Sequence, residues 1–337
     1  CLRHFLKDTH LKIHLVEARA RVGGRIHTLR PESGPPLEMG ATWFGAKHTR
    51  LSALLADLGI GSFPQRLGAH AIYEWISTSP HQLVSLPPNQ EPSYRIRGGT
   101  GSLIDTLAGK LGAGELFLGE AVREIEESPA GVRIHTDKRE LNARFVASTL
   151  PPRLFLKTVR IKPGLPDELR GVLSKTHTWM GESIAFGLTF REPFWRATDS
   201  SGTVFSNVGP VSEMYDHSSE ADRAFALRGF LNPSFQSLTP AARKELILGQ
   251  ISKYYGKAAE VYTGYHEQVW SGEAFTYTPY EQAVLPHQNN GHSIYEKWYL
   301  RGKLLIAGSE TAGRFPGYME GAVRSARFVY EQLLEKI

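Results

Sequence analysis

The stretch Leu15-Val16-Glu17-Ala18-Arg19-Ala20-Arg21-Val22-Gly23-Gly24-Arg25 constrains this chain more than any other part of it. The apolar and β-branched run Leu11 to Val16 reads as a buried strand, and it ends in an acid. Glycines and arginines follow at once. An acid at the carboxyl end of the second strand of a doubly wound sheet is placed to accept hydrogen bonds from a ribose diol. Arginines and exposed backbone N–H groups suit a pyrophosphate. Such an acid works with a Gly-rich strand-to-helix turn about 20 residues upstream. Glu17 leaves no room for that turn, so the chain is expected to be N-terminally incomplete, without the first strand.

Composition narrows the class. The 337 residues, 41% apolar and 22% charged, suit one or two globular domains. The net charge of +5 comes from scattered basic residues and reads as a mildly basic surface rather than a nucleic-acid footprint. The single cysteine, Cys1, excludes an internal disulfide and favours a reducing, cytoplasmic compartment. No apolar run approaches the ~20 residues of a membrane span, and no signal peptide or membrane partner is expected. Oligomeric state is not legible.

Periodicity then places the elements. Residues 1–10 read as the end of a helix, and Leu51, Leu54, Leu55 and Leu58 form a helical stripe stopped near Gly59. Residues 61–95 read as irregular. A short helix follows Gly98-Gly99 through Leu103, Leu107 and Leu111. A strand pair, Val122–Glu126 and Val132–Thr136, precedes a strand Phe145–Leu150 that Pro151-Pro152 stops. Residues 160–278 read as a second, antiparallel region, with alternating segments such as Ser183–Phe190 and one charged helix, Ala241–Tyr254. The chain returns to a buried strand, Leu304–Ala307, and a final helix with Ala322, Ala326, Val329 and Leu333 on one face. Nucleotide-binding pieces at both ends with a mixed insert between them imply a discontinuous domain.

Several motifs sit on this frame: Glu17 to Arg25, then Gly40-Ala41-Thr42-Trp43, Gly308-Ser309-Glu310-Thr311-Ala312, and Pro316-Gly317-Tyr318-Met319-Glu320-Gly321. Together, in this order, the chain resembles the flavin-containing amine oxidase family of the monoamine oxidase type. The resemblance implies an α/β fold: a doubly wound, Rossmann-like FAD domain (1–60, 96–174 and 279–337) with an inserted α+β substrate domain carrying a mixed or antiparallel sheet (61–95 and 175–278). It implies FAD and a small-molecule amine substrate, oxidised by hydride transfer from the α-carbon to flavin N5. Glu17 matches the ribose acid. Arg19, Gly23, Gly24 and Arg25 match the pyrophosphate side, and Gly40, Ala41, Thr42 and Trp43 a further cofactor segment. Val122 matches a backbone contact to adenine. Glu310 and Thr311 match the ribityl-phosphate turn, and Tyr318 and Met319 open the last helix. A helix N-terminus aimed at the flavin would stabilise negative charge there. Tyr318 and Tyr280 match the two walls of an aromatic cage, with Tyr277 close enough in sequence to exchange with Tyr280.

The chain departs from the family in two places. A lysine that holds water against flavin N5 stands ten positions before the tryptophan of Glu192-Pro193-Phe194-Trp195; the position is Ala185 here. This leaves oxidase and dehydrogenase chemistry both open, with Ser183 the neighbouring polar residue on that strand face. The cysteine of covalent members falls at Pro279, so the FAD is expected to be non-covalent. Other readings are a flavin-free, non-catalytic relative, or a desaturase or protoporphyrinogen oxidase-like flavoenzyme. His287-Gln288-Asn289-Asn290-Gly291-His292 reads as a hydrogen-bonded loop, not a metal site. Asp216-His217-Ser218 has no nucleophile elbow with it. Arg97-Gly98-Gly99-Thr100-Gly101 lacks the lysine of a phosphate loop.

Overall fold

The computed structural model of this chain describes residues 1–87, 91–197 and 200–337. Parts of the expected substrate-domain segments, at 88–90 and 198–199, lie outside the described residues. Parallel pairing survives in two separate places. Strand Leu15–Glu17 runs beside Leu116–Leu118, and Val146–Ser148 beside Leu304–Ile306. The second pair is buried, as a strand covered on both faces should be. The first is not: Leu15 is 40% exposed, because among the described residues its strand is paired along one edge only. The expectation of a long buried strand from Leu11 is corrected to three residues.

A four-stranded sheet holds the antiparallel pair Val122–Ser128 and Gly131–Thr136, flanked by Glu140–Ala143 and, in parallel, Arg160–Lys162. The larger, seven-stranded sheet is mixed. It is antiparallel apart from Thr203–Ser206 running parallel to His70–Glu74. The supposedly irregular 61–95 thus carries strands. His70–Glu74 and Gln82–Ser85 join the large sheet, while Ser62–Pro64 and Ser93–Ile96 pair in a small sheet that also contains Trp43–Gly45.

Strand Ile184–Phe190 lies inside the large sheet and is buried at every position, rather than wet on alternate residues. Its two faces do different things. Ile184, Phe186, Leu188 and Phe190 pack into the core beneath helix Pro240–Tyr255, with Ile247 and Ile251. Gly187 turns the other way, toward Leu37 and Met39. Ala185 shares that face by strand alternation. Ser183 falls just outside the strand, where its hydroxyl donates back to the Met180 carbonyl, so it is not part of that face.

The last helix, Met319–Leu334, buries Met319, Val323, Val329 and Leu333. Ala322, expected on the buried face, is exposed. The helix also caps a neighbour. Fully buried Glu320 accepts the backbone N–H groups of Arg50 (3.2 Å) and Leu51 (2.7 Å) at the start of helix Thr49–Asp57, whose own N-cap, His48, makes no side-chain cap. An acid there satisfies orphan donors and complements the helix dipole.

Candidate active site

The Glu17–Arg25 motif and the Gly308–Ala312 turn meet at Arg25. Its guanidinium grips Glu310 with both outer nitrogens, Nη1 at 2.5 Å and Nη2 at 2.8 Å, and donates to Ser309 Oγ (2.9 Å) and the Trp179 carbonyl (3.0 Å). Glu310 is 1% exposed. Burial pushes its carboxyl up, but the Arg25 charge and the Arg25 and Ser309 hydrogen bonds outweigh this and hold it below the usual range. A second residue approaches Arg25 closely. Ala41 N–H donates to its carbonyl at 3.1 Å, and a Cβ on Gly40 would sit 1.9 Å from that oxygen, so only glycine fits at position 40. Thr311 fastens the same turn, donating to the Gly308 carbonyl (2.9 Å) and lying 3.1 Å from Ser325 Oγ on the last helix.

At the other end, Glu17 closes its strand and accepts the Arg19 N–H at 2.8 Å. The backbones of Glu17 and Arg19 accept from Glu120 and Gly119, which places the start of strand Val122–Ser128 beside them. Arg19 turns toward the segment after strand Tyr262–Val269, pairing with Glu273 (2.9 Å) and Thr276 (2.6 Å). Between the ends, Gly23 and Gly24 hold φ of +103° and +57°, and a Cβ on Gly24 would meet nothing within 4 Å. Both are left-handed backbone; Gly24 is open, while a Cβ on Gly23 would meet the Ile26 carbonyl at 2.7 Å. At the far end, Tyr318 leads into helix Met319–Leu334 without capping it by its side chain, so first-turn N–H groups stay available. Open glycine backbone, a strand-end acid and an uncapped helix start are what an elongated anionic cofactor needs, and these residues fit a flavin dinucleotide.

Beside the helix start lies a cluster of rings. Tyr318 lies 5.6 Å from Trp179 and 6.2 Å from His287, nearly parallel to the latter at 15°. Trp179 stacks on His287 at 4.0 Å. On the far side, His177 stacks with Tyr280 at 6.2 Å, and the Tyr280 hydroxyl accepts the Thr178 N–H at 2.8 Å. Tyr280 and Tyr318 are thus linked through the rings of His177, Trp179 and His287. Tyr277, 5.7 Å from Tyr280, instead donates its hydroxyl to the exposed Glu182 (2.6 Å). Burial lowers His177, favouring its neutral form, and raises the Tyr280 phenol. Met319 is buried under the helix start and packs with Leu103 and Phe44.

A buried arginine of the large sheet holds the Gly40–Trp43 segment. Arg228 is fully buried between the rings of Phe230 (4.0 Å) and Trp43 (4.7 Å), and donates to the carbonyls of Glu38 (2.9 Å) and Gly40 (3.2 Å). Burial lowers it to about 10. Trp43 donates its indole N–H to Gln65 (2.8 Å), and Thr42 donates to the Gly40 carbonyl (3.0 Å). Ala185, opposite Phe230 and Gln268, is fully buried.

Sequence reasoning missed Trp179, His177 and His287. Trp179 lies in a turn with no periodic pattern. The His287 loop reads as hydrogen-bonded, and the His287 N–H does donate to His177 Nδ1 at 3.2 Å. Only the fold brings that loop to Tyr318.

Comparison with known proteins identifies the family and the fold. The family model described as flavin containing amine oxidoreductase matches residues 5–84 and 67–333. A putative flavin-containing monoamine oxidase of Mycobacterium tuberculosis is 32% identical over 237 residues, covering 69% of this chain and 50% of that protein. A putrescine oxidase of Kocuria rosea is 26% identical, covering 71% and 52%. The chain therefore spans about half the length of these curated relatives. Among solved structures, putrescine oxidase bound to putrescine superposes with a TM-score of 0.85 at 20% identity, over 99% of this chain and 96% of that one. Cyclohexylamine oxidase from Brevibacterium oxydans does so at 0.86 and 18%, over 99% and 96%. Both share the fold. No helix among the described residues is long and apolar enough to cross a membrane.

Proposed function

The chain belongs to the family of flavin-containing amine oxidoreductases, and from that premise we propose that it binds FAD and oxidises a small amine. The bidentate Arg25–Glu310 pair carries the reading, because it joins the Glu17–Arg25 segment to the turn that leads into Tyr318. Glu17 would hold the ribose end, Gly23 and Gly24 the pyrophosphate, and the start of helix Met319–Leu334 the flavin end. The flavin, when bound, supplies the hydride acceptor.

The chain's own residues bind and orient. Tyr318 and Tyr280, with Trp179 and His287, offer ring faces that position an amine and exclude water from it. His177, held neutral by burial, adds no repelling cation to that wall. First-turn N–H groups and the positive helix end favour negative charge at the flavin edge. Pro279 beside Tyr280 supports non-covalent attachment. Ala185 offers no ammonium on the sheet face, so the reoxidising partner is oxygen or another acceptor. The single cysteine supports a cytoplasmic location.

Putrescine oxidase and cyclohexylamine oxidase, by their names, act on small amines, which supports amines over the desaturase-like and scaffold readings. The test is anaerobic mixing of flavin-loaded protein with putrescine, cyclohexylamine and benzylamine. Bleaching of the flavin bands by at least one amine is expected. Flavin that stays oxidised with every amine would overturn the reading.

A further inference from the structure

A buried cation stands behind Tyr280. Arg153 stands in the first turn of helix Pro152–Thr158 and is 3% exposed. Among the described residues its hydrogen-bond partners are main-chain carbonyls. Nη1 donates to Ser174 (2.7 Å) and Nε to Pro279 (3.1 Å) and, more weakly, to Thr278 (3.4 Å); Nη2 donates to Pro279 as well. The guanidinium carbon also lies 5.0 Å from the centroid of the Tyr280 ring. A buried guanidinium satisfied by carbonyls and a ring face is costly to desolvate, yet it acts on the backbone directly before Tyr280 and on that ring.

We propose that Arg153 is a positioning residue for Tyr280, fixing the plane that the tyrosine presents to the amine; this rests on Tyr280 being a wall of the substrate site. Tyr280 is then held at three points. Arg153 clamps its preceding carbonyls and meets its ring, Thr178 N–H binds its hydroxyl, and the His177 ring packs parallel to it. Arg153 also donates to the carbonyl ending helix Asp167–Ser174, so the clamp joins three segments distant in sequence. The planar fork matters here: a lysine keeps the charge but cannot serve Ser174 and Pro279 from fixed directions.

The test uses flavin-loaded protein carrying Arg153→Met, Arg153→Lys, Tyr280→Ala and the Arg153→Met/Tyr280→Ala double substitution. Arg153→Met should lower the rate of flavin reduction by amine roughly ten- to a hundredfold, the scale of loss from sub-ångström misplacement of a substrate contact. FAD affinity should stay unchanged, and backbone amides around residues 278–281 should exchange hydrogen faster. Arg153→Lys should recover part of the rate, and it carries the test if Arg153→Met does not fold. In the Tyr280→Ala background, Arg153→Met should cost almost nothing more. Equal losses from Arg153→Met with and without Tyr280 would overturn the proposal while leaving Tyr280 in place. A Tyr280→Ala protein that reduces its flavin at the wild-type rate would instead remove the substrate-wall reading, and the proposal with it. Unchanged amide exchange in both Arg153 variants would overturn the clamp itself.

Discussion

At the scale of single residues, the site rests on an ion pair, fully buried at Glu310 and half-buried at Arg25, that ties the Glu17–Arg25 segment to the Gly308–Ala312 turn. Removing one partner of such a pair leaves an uncompensated charge. Glu310→Ala should therefore cost about 3 kcal/mol, read as a melting temperature lower by roughly 4 °C, while Glu310→Gln, which keeps one acceptor for Arg25, should cost less. Equal melting temperatures for Glu310→Ala and wild type would contradict the role given to this pair. His287 gives a second prediction. Because its ring stacks on Trp179 and faces Tyr318, His287→Ala should raise KM for the amine severalfold and leave FAD affinity unchanged; a shift in FAD affinity alone would contradict it. Glu310, Arg25 and Tyr318 were legible because each sits in a short motif with a chemical purpose. Trp179, His287 and Arg153 were not. Their importance comes from contacts across a hundred residues or more, and nothing local to them carries that signal.

At the scale of elements, the molecule uses one helix to complete another. Glu320 supplies the cap that His48 does not, binding two N–H groups of helix Thr49–Asp57 from the first turn of the last helix. Glu320→Ala should cost roughly 2 kcal/mol, the upper range for a lost cap, and loosen residues 49–52 first. Hydrogen exchange checks this, and unchanged protection of the Arg50 and Leu51 amides would contradict it. Helices were easier to read than strands. The stripe Leu51–Leu58 with its stop near Gly59 marked helix Thr49–Asp57, since both signals lie within one segment, and the charged run Ala241–Tyr254 marked helix Pro240–Tyr255. The strands in 61–95 were missed because short, half-wet strands lack a clean alternation. Ile184–Phe190 was mistaken for an alternating strand because its second face is covered by Leu37 and Met39, which only the folded chain brings there.

At the scale of the whole molecule, the seam between the large sheet and the motif segments is rich in buried polar groups. His217, fully buried near Arg95 and Arg228, is held well below its usual pKa by burial and then by those cations. The sign follows from linkage. Above about pH 6.5 the ring is neutral in both folded and unfolded chains. As pH falls below that, the unfolded chain takes up a proton the folded chain refuses, so stability falls at up to ~1.4 kcal/mol per pH unit from this group. His217→Asn should flatten the decline between pH 7 and pH 5 in denaturant unfolding, and parallel curves for variant and wild type would contradict this.

The central claim is that the two motif ends, joined by Arg25 and Glu310, frame one flavin site in which a small amine is oxidised. Its most direct test is to titrate the purified full-length protein with FAD, following flavin fluorescence, and then add amine without oxygen. The account expects saturable one-to-one quenching followed by loss of the oxidised flavin bands. Flavin fluorescence that shows no saturable change, or bound flavin that no amine reduces, would contradict it.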